Sequence, residues 1–445
     1  MNLLLIKPSS YNAQGRLRHS KKGYMPFINL PLLKALTPKH VSVDIIDENI
    51  DKVDYDKKVD LVGITTLTLD VKRGYEIASE FKKRGTPVVM GGFHVSALPD
   101  EALQYADSVV IGEAENVWSE LIQDFEDKKL KPIYKSDKLF DLKNCVIPDY
   151  SSFDFNKYLR PYGSKGPFFP VQATRGCPFN CEFCSISSFF GNSFRTKPID
   201  LIIKELERIR TGYYFFVDDN IIGDPTYAKE LFKALIPLKI RWLGQFSANL
   251  LRFPDLAELA SKSGCIAAYI GLESLSQRNL KDVNKRCNKV EEYPELFKLL
   301  NNLNIRPIAS FIFGFDHDDE SVFDTTVHFL IKNKAAKAYF YILTPLPGTA
   351  LFKKMKERNR LLTQDWNKYD GANVVFRPLL MSPEQLESGL WKAYQKFFTW
   401  PKIIRRNLRY ISWQQPIKFP LLLFFDLHFR KMVYQRKHPI SEGKL

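Results

Sequence analysis

Thr174-Arg-Gly-Cys-Pro-Phe-Asn-Cys-Glu-Phe-Cys184 places Cys177, Cys181 and Cys184 at Cys-x-x-x-Cys-x-x-Cys spacing. The run directly follows an apolar stretch, Phe169–Ala173, that reads as a strand. Three thiolates on one short loop suit three corners of a [4Fe–4S] cluster, whose usual complement is four cysteines. The missing fourth ligand leaves one iron open. That is wasteful for an electron carrier and useful for an enzyme whose cofactor chelates iron. Zinc completed by a histidine is the plain alternative. Structural zinc sites, however, use paired Cys-x2–4-Cys units, and the sequence has no second pair. Cys145, Cys265 and Cys287 stand alone and read as buried thiols that behave as small hydrophobes.

Downstream of the loop, apolar runs alternate with longer amphipathic ones. Strands are predicted at Phe169–Ala173, Tyr213–Val217, Arg241–Ser247, Ala267–Leu272, Arg306–Phe313 and Ala338–Leu343. Helices are predicted between them, as at Pro198–Arg210 and Glu291–Leu303. Six β/α units in succession predict a partial (β/α)6 barrel with its chemistry at the strand C-terminal rim. Upstream, strands at Leu3–Ile6, Val41–Ile46, Leu61–Thr65, Pro87–Met90 and Ser108–Ile111 predict an α/β, doubly wound parallel sheet of Rossmann-like type. Such sheets bind ligands beyond the strand C-termini at the switch point. The division reads as a first domain over 1–130, a turn-rich linker over 131–167, the barrel over 168–350 and a mainly helical region over 351–445.

Composition bounds the class. The chain has 445 residues with 45% hydrophobic and 26% charged, which excludes wholesale disorder. The start, MNLLLIKPSSYN, lacks a signal-like pattern, six cysteines are too few for a disulfide scaffold, and no stretch spans a bilayer. A cytoplasmic location is the expectation. The formal net charge is +15, and ten Lys/Arg against two acids fall between Trp400 and Leu445.

Cys-x-x-x-Cys-x-aromatic-Cys, with Phe183 as the aromatic, resembles the signature of radical S-adenosylmethionine (SAM) enzymes. The resemblance implies an open iron that binds the amino and carboxylate groups of SAM, and reductive cleavage to a 5′-deoxyadenosyl radical. It also implies SAM contacts at the rim. Asp218, Asp219 and Asn220 offer acceptors to an ammonium, although a helix N-cap explains the same residues. Ser247 and Asn249 follow the third strand. Glu273 and Ser274 follow the fourth, with Glu273 facing the ribose or methionine part. Gly314 belongs to the loop along the adenine, and Arg286 is a candidate partner for the cofactor carboxylate or a plain surface arginine.

Residues 1–130 resemble the cobalamin-binding domain that precedes the radical domain in one large subclass. The resemblance rests on GITTLT (63–68), GGFHVSALPDEAL (91–103) and IGEAE (111–115). It implies cobalamin contacts from Thr65, Thr66, Leu67, Gly91, Gly92, His94, Gly112 and Glu113. The Asp-x-His-x-x-Gly motif of cobalt-ligating relatives is absent, so His94, in a different loop, is not read as a cobalt ligand.

The implied activity is a cobalamin-dependent C-methyltransferase acting on an unactivated carbon. An oxidoreductase, cyclase or rearrangement enzyme with the same cofactors is the alternative. A non-catalytic iron–sulfur or cobalamin-binding protein is a further one. A low-potential donor, flavodoxin or ferredoxin, is implied as partner. The basic, aromatic tail (Lys396, Phe397, Phe398, Trp400, Arg405, Arg406, Arg409, Tyr410, Trp413, then Phe419–Phe425 and Arg430, Lys431, Arg436, Lys437) suits a peripheral segment on the inner face of an anionic membrane. A lipid-like or other apolar substrate goes with that reading. A lid packed on the barrel is the alternative, and nucleic acid lacks a recognition motif. Pro401, Pro416 and Pro420 exclude one long helix.

Overall fold

The computed structural model describes residues 1–12, 14–161, 164–409 and 418–438. Its first layer grows out of strand alternation. In β1 (Asn2–Lys7) every residue from Leu3 to Ile6 is buried. Successive side chains point to opposite faces, so Leu3 and Leu5 join one core and Leu4 and Ile6 the other. β2 (Ser42–Asp47), β3 (Leu61–Thr65), β4 (Val88–Gly91), β5 (Ser108–Ile111) and β6 (Ile133–Lys135) complete a parallel sheet of order β2-β1-β3-β4-β5-β6. Helix Val71–Lys83 covers one face with Val71, Ala78 and Phe81, and helix Trp118–Glu126 covers the other with Trp118, Leu121 and Ile122. β1 lies between β2 and β3, which puts the switch point at the C-terminal ends of β1 and β3. β6 departs from the five-strand expectation and lies inside the 131–167 stretch read as linker. Three residues are too few to display a period.

The second layer contains β7 (Phe169–Val171), β8 (Thr174–Gly176), β9 (Phe194–Thr196), β10 (Tyr213–Phe216), β11 (Arg241–Phe246), β12 (Cys265–Glu273), β13 (Arg306–Phe313) and β14 (Lys337–Ile342). Six of them form a parallel sheet in the order β7-β10-β11-β12-β13-β14. Among the described residues β7 and β14 do not pair, so the barrel is partial. Helix Tyr293–Asn302 sends Leu296, Phe297 and Leu300 into the core shared with Ala268 and Ile270 of β12. By alternation Tyr269 and Gly271 face the concave side, and past a break in register the Glu273 carboxylate lies over Gly271. The remaining two strands, β8 and β9, form an antiparallel ladder that brackets the cysteine loop and helix Ser185–Phe190. The sequence reading does not include this ladder.

The free edge of β14 is closed by side chains. The Tyr394 hydroxyl, from helix Pro383–Phe397, accepts from Phe340 N at 2.9 Å and lies 3.0 Å from Phe340 O. His438 Nε2 lies 2.9 Å from the same carbonyl. Covering an edge in this way removes a template for strand pairing. The tail forms two helices, Trp400–Leu408 and Lys418–Tyr434, with Pro401 and Pro420 in their first turns. Tyr410, Trp413 and Pro416 lie outside the described residues. Among the described residues no helix is long and apolar enough to cross a membrane.

Candidate active site

The cysteine loop starts at Gly176, whose φ is +90°. A side chain there would run into the Ser193 carbonyl, so glycine is required. Gly176 N–H donates to Asp219 Oδ2 at 3.0 Å, which ties the loop to the end of β10. Cys181 is buried, and Cys177 and Cys184 are half-buried. Burial pushes the Cys177 thiol up to about 11 and Cys181 up to about 12, and raises Cys184 as well. The Lys285 ammonium opposes all three shifts. Three protonated soft ligands on one loop fit a metal cluster, which displaces their protons on binding. Among the described residues no three His, Cys, Asp or Glu side chains converge on a single metal ion. A four-iron cluster distributes its cysteines over separate irons, so such convergence is not what it requires.

Around the loop the rim residues divide into two groups. Glu273 is buried at φ +66° and pairs with Lys285 Nζ at 3.3 Å, and burial raises its carboxyl. Asp219 is half-buried; burial pushes it up to about 6. Asn220 Oδ1 accepts from Ser247 N at 3.2 Å, and Asn220 Nδ2 is buried without a partner among the described residues. Ser247 Oγ also donates to Asn249 Oδ1. Phe183 packs edge-on toward Phe315 at 6.4 Å. Glu273, Asp219 and Lys285 act directly on the thiols, and Asn220, Ser247 and Asn249 form a bonded group beside Asp219.

The second group holds backbone instead. Asp218 is fully buried and accepts from Ala173 N at 3.0 Å, Thr174 N and Thr174 Oγ1, so it fastens the end of β10 to the β7–β8 junction. Ser274 is buried and accepts from Ser276 N at 3.0 Å, as a turn residue. Gly314 is packed under Leu386 and Phe376, and its N–H donates to Asp318 Oδ2. Helix packing explains that glycine without an adenine. Arg286 is exposed, whereas its neighbour Lys285 faces the thiols and Glu273. The turn after helix Gln277–Asp282, with Asn284 at φ +58°, sets which of the two turns inward. Lys285 is the site residue that sequence reasoning missed, one position from Arg286. Cys287 is buried beside the same ammonium.

The N-terminal rim stands against this one. Thr65 Oγ1 accepts from Asn29 at 3.1 Å, the buried Thr66 Oγ1 has no partner among the described residues, and Leu67 is 49% exposed. Gly92, at φ +107°, has no room for a side chain against the Thr66 backbone. Gly91 ends β4, and the space beside Gly112 is open. An open space beside a bare backbone, an unused hydroxyl and an exposed leucine fit a large flat ligand with an amide-bearing periphery, such as cobalamin. Two expected contacts fall elsewhere. His94 is buried between Thr68 Oγ1 at 3.2 Å and Glu101 Oε1 at 3.3 Å, so both ring nitrogens are engaged. Glu113 accepts from Arg175 at 2.5 Å, Arg195 at 2.8 Å and Phe140 N at 2.9 Å. The two guanidiniums hold its carboxyl below the usual range against the effect of burial. Glu115 joins Arg175 at 2.6 Å, and Phe93 stacks on Phe189 at 4.3 Å. The two rims are therefore fastened to each other.

The family model described as the Radical SAM superfamily matches residues 171–330, and the B12 binding domain matches residues 18–122. The bacteriochlorophyllide d C-12(1)-methyltransferase of Chlorobaculum tepidum is 36% identical over 412 residues, 91% of this chain and 88% of that protein. The chain belongs to the radical SAM superfamily. It falls in the cobalamin-binding branch of methyltransferases. The bacteriochlorophyllide d C-8(2)-methyltransferase of the same organism is 32% identical over 94% of this chain and 95% of its own length. The fold of this radical SAM enzyme matches that of the methyltransferase TsrM from Kitasatospora setae, with a TM-score of 0.68, 14% identity, and coverage of 96% and 99%. The cofactors of the branch are a [4Fe–4S] cluster, SAM and cobalamin, and the two rims of this radical SAM enzyme offer the matching donor chemistry.

Proposed function

We propose that this radical SAM enzyme transfers a methyl group to an unactivated carbon of an apolar, natural-product-like substrate. The observation that carries the reading is the joint between the rims. Arg175, two residues before Cys177, is bonded to Glu113 and Glu115 at the end of β5. That joint holds the thiol-bearing rim against the N-terminal rim, so that cofactors bound on the two sides would face each other. Bound there, the cofactors supply one-electron cleavage of SAM, a radical that removes hydrogen from carbon, and a transferable methyl group.

The residues take the following roles in this proposal. Cys177, Cys181 and Cys184 hold the cluster. Lys285 receives the carboxylate of SAM, and the outward oxygen of Asp219 accepts from its ammonium. Glu273 accepts from ribose hydroxyls while Lys285 holds it in place. Thr66, Leu67, Gly92 and Gly112 seat cobalamin, with no histidine on the cobalt. Tyr269 and Tyr341 on the concave face lie 3.0 Å apart through their hydroxyls, and the Tyr339 ring is 5.5 Å from Tyr269. A cluster of aromatic side chains on that face supports an apolar substrate. Residues 1–130 then serve cobalamin and residues 168–350 serve SAM. A low-potential flavodoxin or ferredoxin reduces the cluster. Peripheral contact with the inner face of an anionic membrane belongs to the same reading, since an apolar substrate is then drawn from a bilayer.

The test uses anaerobic holoenzyme and SAM labelled in its methyl group, with bacteriochlorophyllide d as the first substrate offered. The expected result is label in the product together with 5′-deoxyadenosine. Product formed with 5′-deoxyadenosine but without label replaces methylation by oxidation, cyclisation or rearrangement. No cleavage of SAM under strong reductant removes the enzymatic reading altogether.

A further inference from the structure

The two C-terminal helices sort their side chains by face. Inward, Ile403, Arg406 and Asn407 of helix Trp400–Leu408 are buried, as are Asp426, Phe429, Met432 and Val433 of helix Lys418–Tyr434. Asp426 accepts from Arg406 at 2.8 Å and from Asn407 at 2.9 Å. Lys337 Nζ sits 3.4 Å over the Phe429 ring. This half of the tail is core, which agrees with the packed alternative.

Outward, the pattern inverts. Trp400, Ile404 and Leu408 stand at i, i+4 and i+8, one stripe on one helical face. They are 50%, 42% and 49% exposed. Phe424 at 64% and Tyr434 at 48% lie on the outer side of the second helix. Arg430 joins the helices, its guanidinium 5.7 Å from the Trp400 ring and 4.1 Å from the Tyr434 ring. Among the described residues every large aromatic side chain that is exposed belongs to this surface. Around it Arg405, Lys431 and Arg436 are exposed. The sole acid between residues 400 and 438 is Asp426, which is buried and paired. Exposed tryptophan, tyrosine, phenylalanine and aliphatics on two helices whose own exposed charges are all cationic suit the headgroup region of an anionic bilayer.

We infer that this face is a docking surface for an anionic lipid membrane, with Trp400, Ile404, Leu408 and Phe424 entering the interface and Arg405, Lys431 and Arg436 meeting lipid phosphates. The two helices lie in the interface plane rather than crossing it. Only the purpose of docking, delivery of an apolar substrate, rests on the function proposed above; the binding itself does not.

Removing the tail is an unsuitable test, because it also removes the Arg406–Asp426 pair, Phe429 and Val433 from the core. Two variants of the full chain serve instead: Trp400→Ser with Ile404→Ser and Leu408→Ser, and Arg405→Gln with Lys431→Gln and Arg436→Gln. All six positions are exposed, so thermal unfolding of both variants matches the parent. The probes are sedimented vesicles of phosphatidylglycerol mixed with phosphatidylcholine, and of phosphatidylcholine alone, each at low and high salt. The expected parent binds the anionic vesicles, and salt weakens that binding. Each variant loses at least about tenfold in affinity, and the charge variant also loses the salt dependence. Cleavage of SAM in vesicle-free buffer is the same for all three proteins, which separates failure of docking from failure of the enzyme. Equal binding by parent and variants overturns the inference, as does equal binding to neutral and anionic vesicles. A parent that is dimeric in solution and made monomeric by the serine variant assigns the surface to a second copy and overturns it too.

Discussion

The two rims are built from the same material, the C-terminal ends of parallel strands, yet they treat charge in opposite ways. At the barrel rim charge is gathered inward: Lys285, Glu273 and Asp219 surround three thiols. At the N-terminal rim the charged groups are withdrawn. Glu113 and Glu115 are spent on Arg175, His94 is locked under Trp366, and what remains open is Leu67 and the space beside Gly112, backed by the unused hydroxyl of Thr66. A small, charged cofactor and an iron cluster need ion pairs and soft ligands. A macrocycle needs area and a close backbone. The contrast teaches that ligand size can be read from where a rim keeps its charges.

The largest test of this contrast separates the rims. Cys177→Ala with Cys181→Ala and Cys184→Ala removes all iron and all reductive cleavage of SAM, while cobalamin binding persists. Iron analysis and the corrin absorbance report the two halves. Loss of both together would mean that the rims are not independent sites. The mirror variant, Gly92→Val, forces a β-branched side chain into a left-handed position against the Thr66 backbone. It abolishes cobalamin binding and leaves the cluster spectrum as it was.

Next in size is the joint. Glu113→Gln removes the charge between Arg175 and Arg195, and breaking such a buried pair costs about 3 kcal/mol at neutral pH. The Glu113 carboxyl is depressed in the folded protein, so its stabilisation is complete above the ordinary carboxylate range and is lost as the pH falls through the folded value. The gap between parent and variant in denaturant titrations therefore narrows toward acid. A gap that widens on acidification contradicts the assignment.

Smaller effects sharpen the barrel side. Lys285→Ala weakens SAM binding by about 10- to 100-fold, the worth of a hydrogen bond to a charged group. Arg286→Ala leaves it unchanged in equilibrium dialysis, and the reverse ranking would restore Arg286 as the carboxylate partner. Smallest is Thr66→Val. It removes a buried hydroxyl without a partner among the described residues, so the cofactor-free protein keeps or gains stability, while cobalamin affinity falls roughly three- to tenfold.

The architecture was legible because burial on both faces makes a parallel strand nearly all apolar, as Leu3–Ile6 and Ala267–Leu272 show. The cysteine loop was legible because ligand spacing is local. Three-residue elements such as β6, β8 and β9 carry no period, and their pairing is a tertiary fact. Residue type also fails to separate binding from bracing. Asp218 and Asp219 are adjacent aspartates, yet one holds Thr174 and the other opens to the thiols. The Lys285–Arg286 choice turns on the local twist at Asn284, which no spacing rule reports.

The closure of β14 has a consequence for how the chain is made. Phe340 waits for Tyr394, 54 residues later, and for His438, 98 residues later. At roughly 5–20 residues per second, synthesis leaves that strand edge uncapped for about 3–11 s and incompletely capped for about 5–20 s. During that interval an edge of unpaired backbone N–H and C=O groups is displayed beside the ribosome, where neighbouring nascent chains carry the same edge. Synonymous slow codons between positions 340 and 438 would lengthen the exposure and raise the aggregated fraction without altering a single residue of the finished protein.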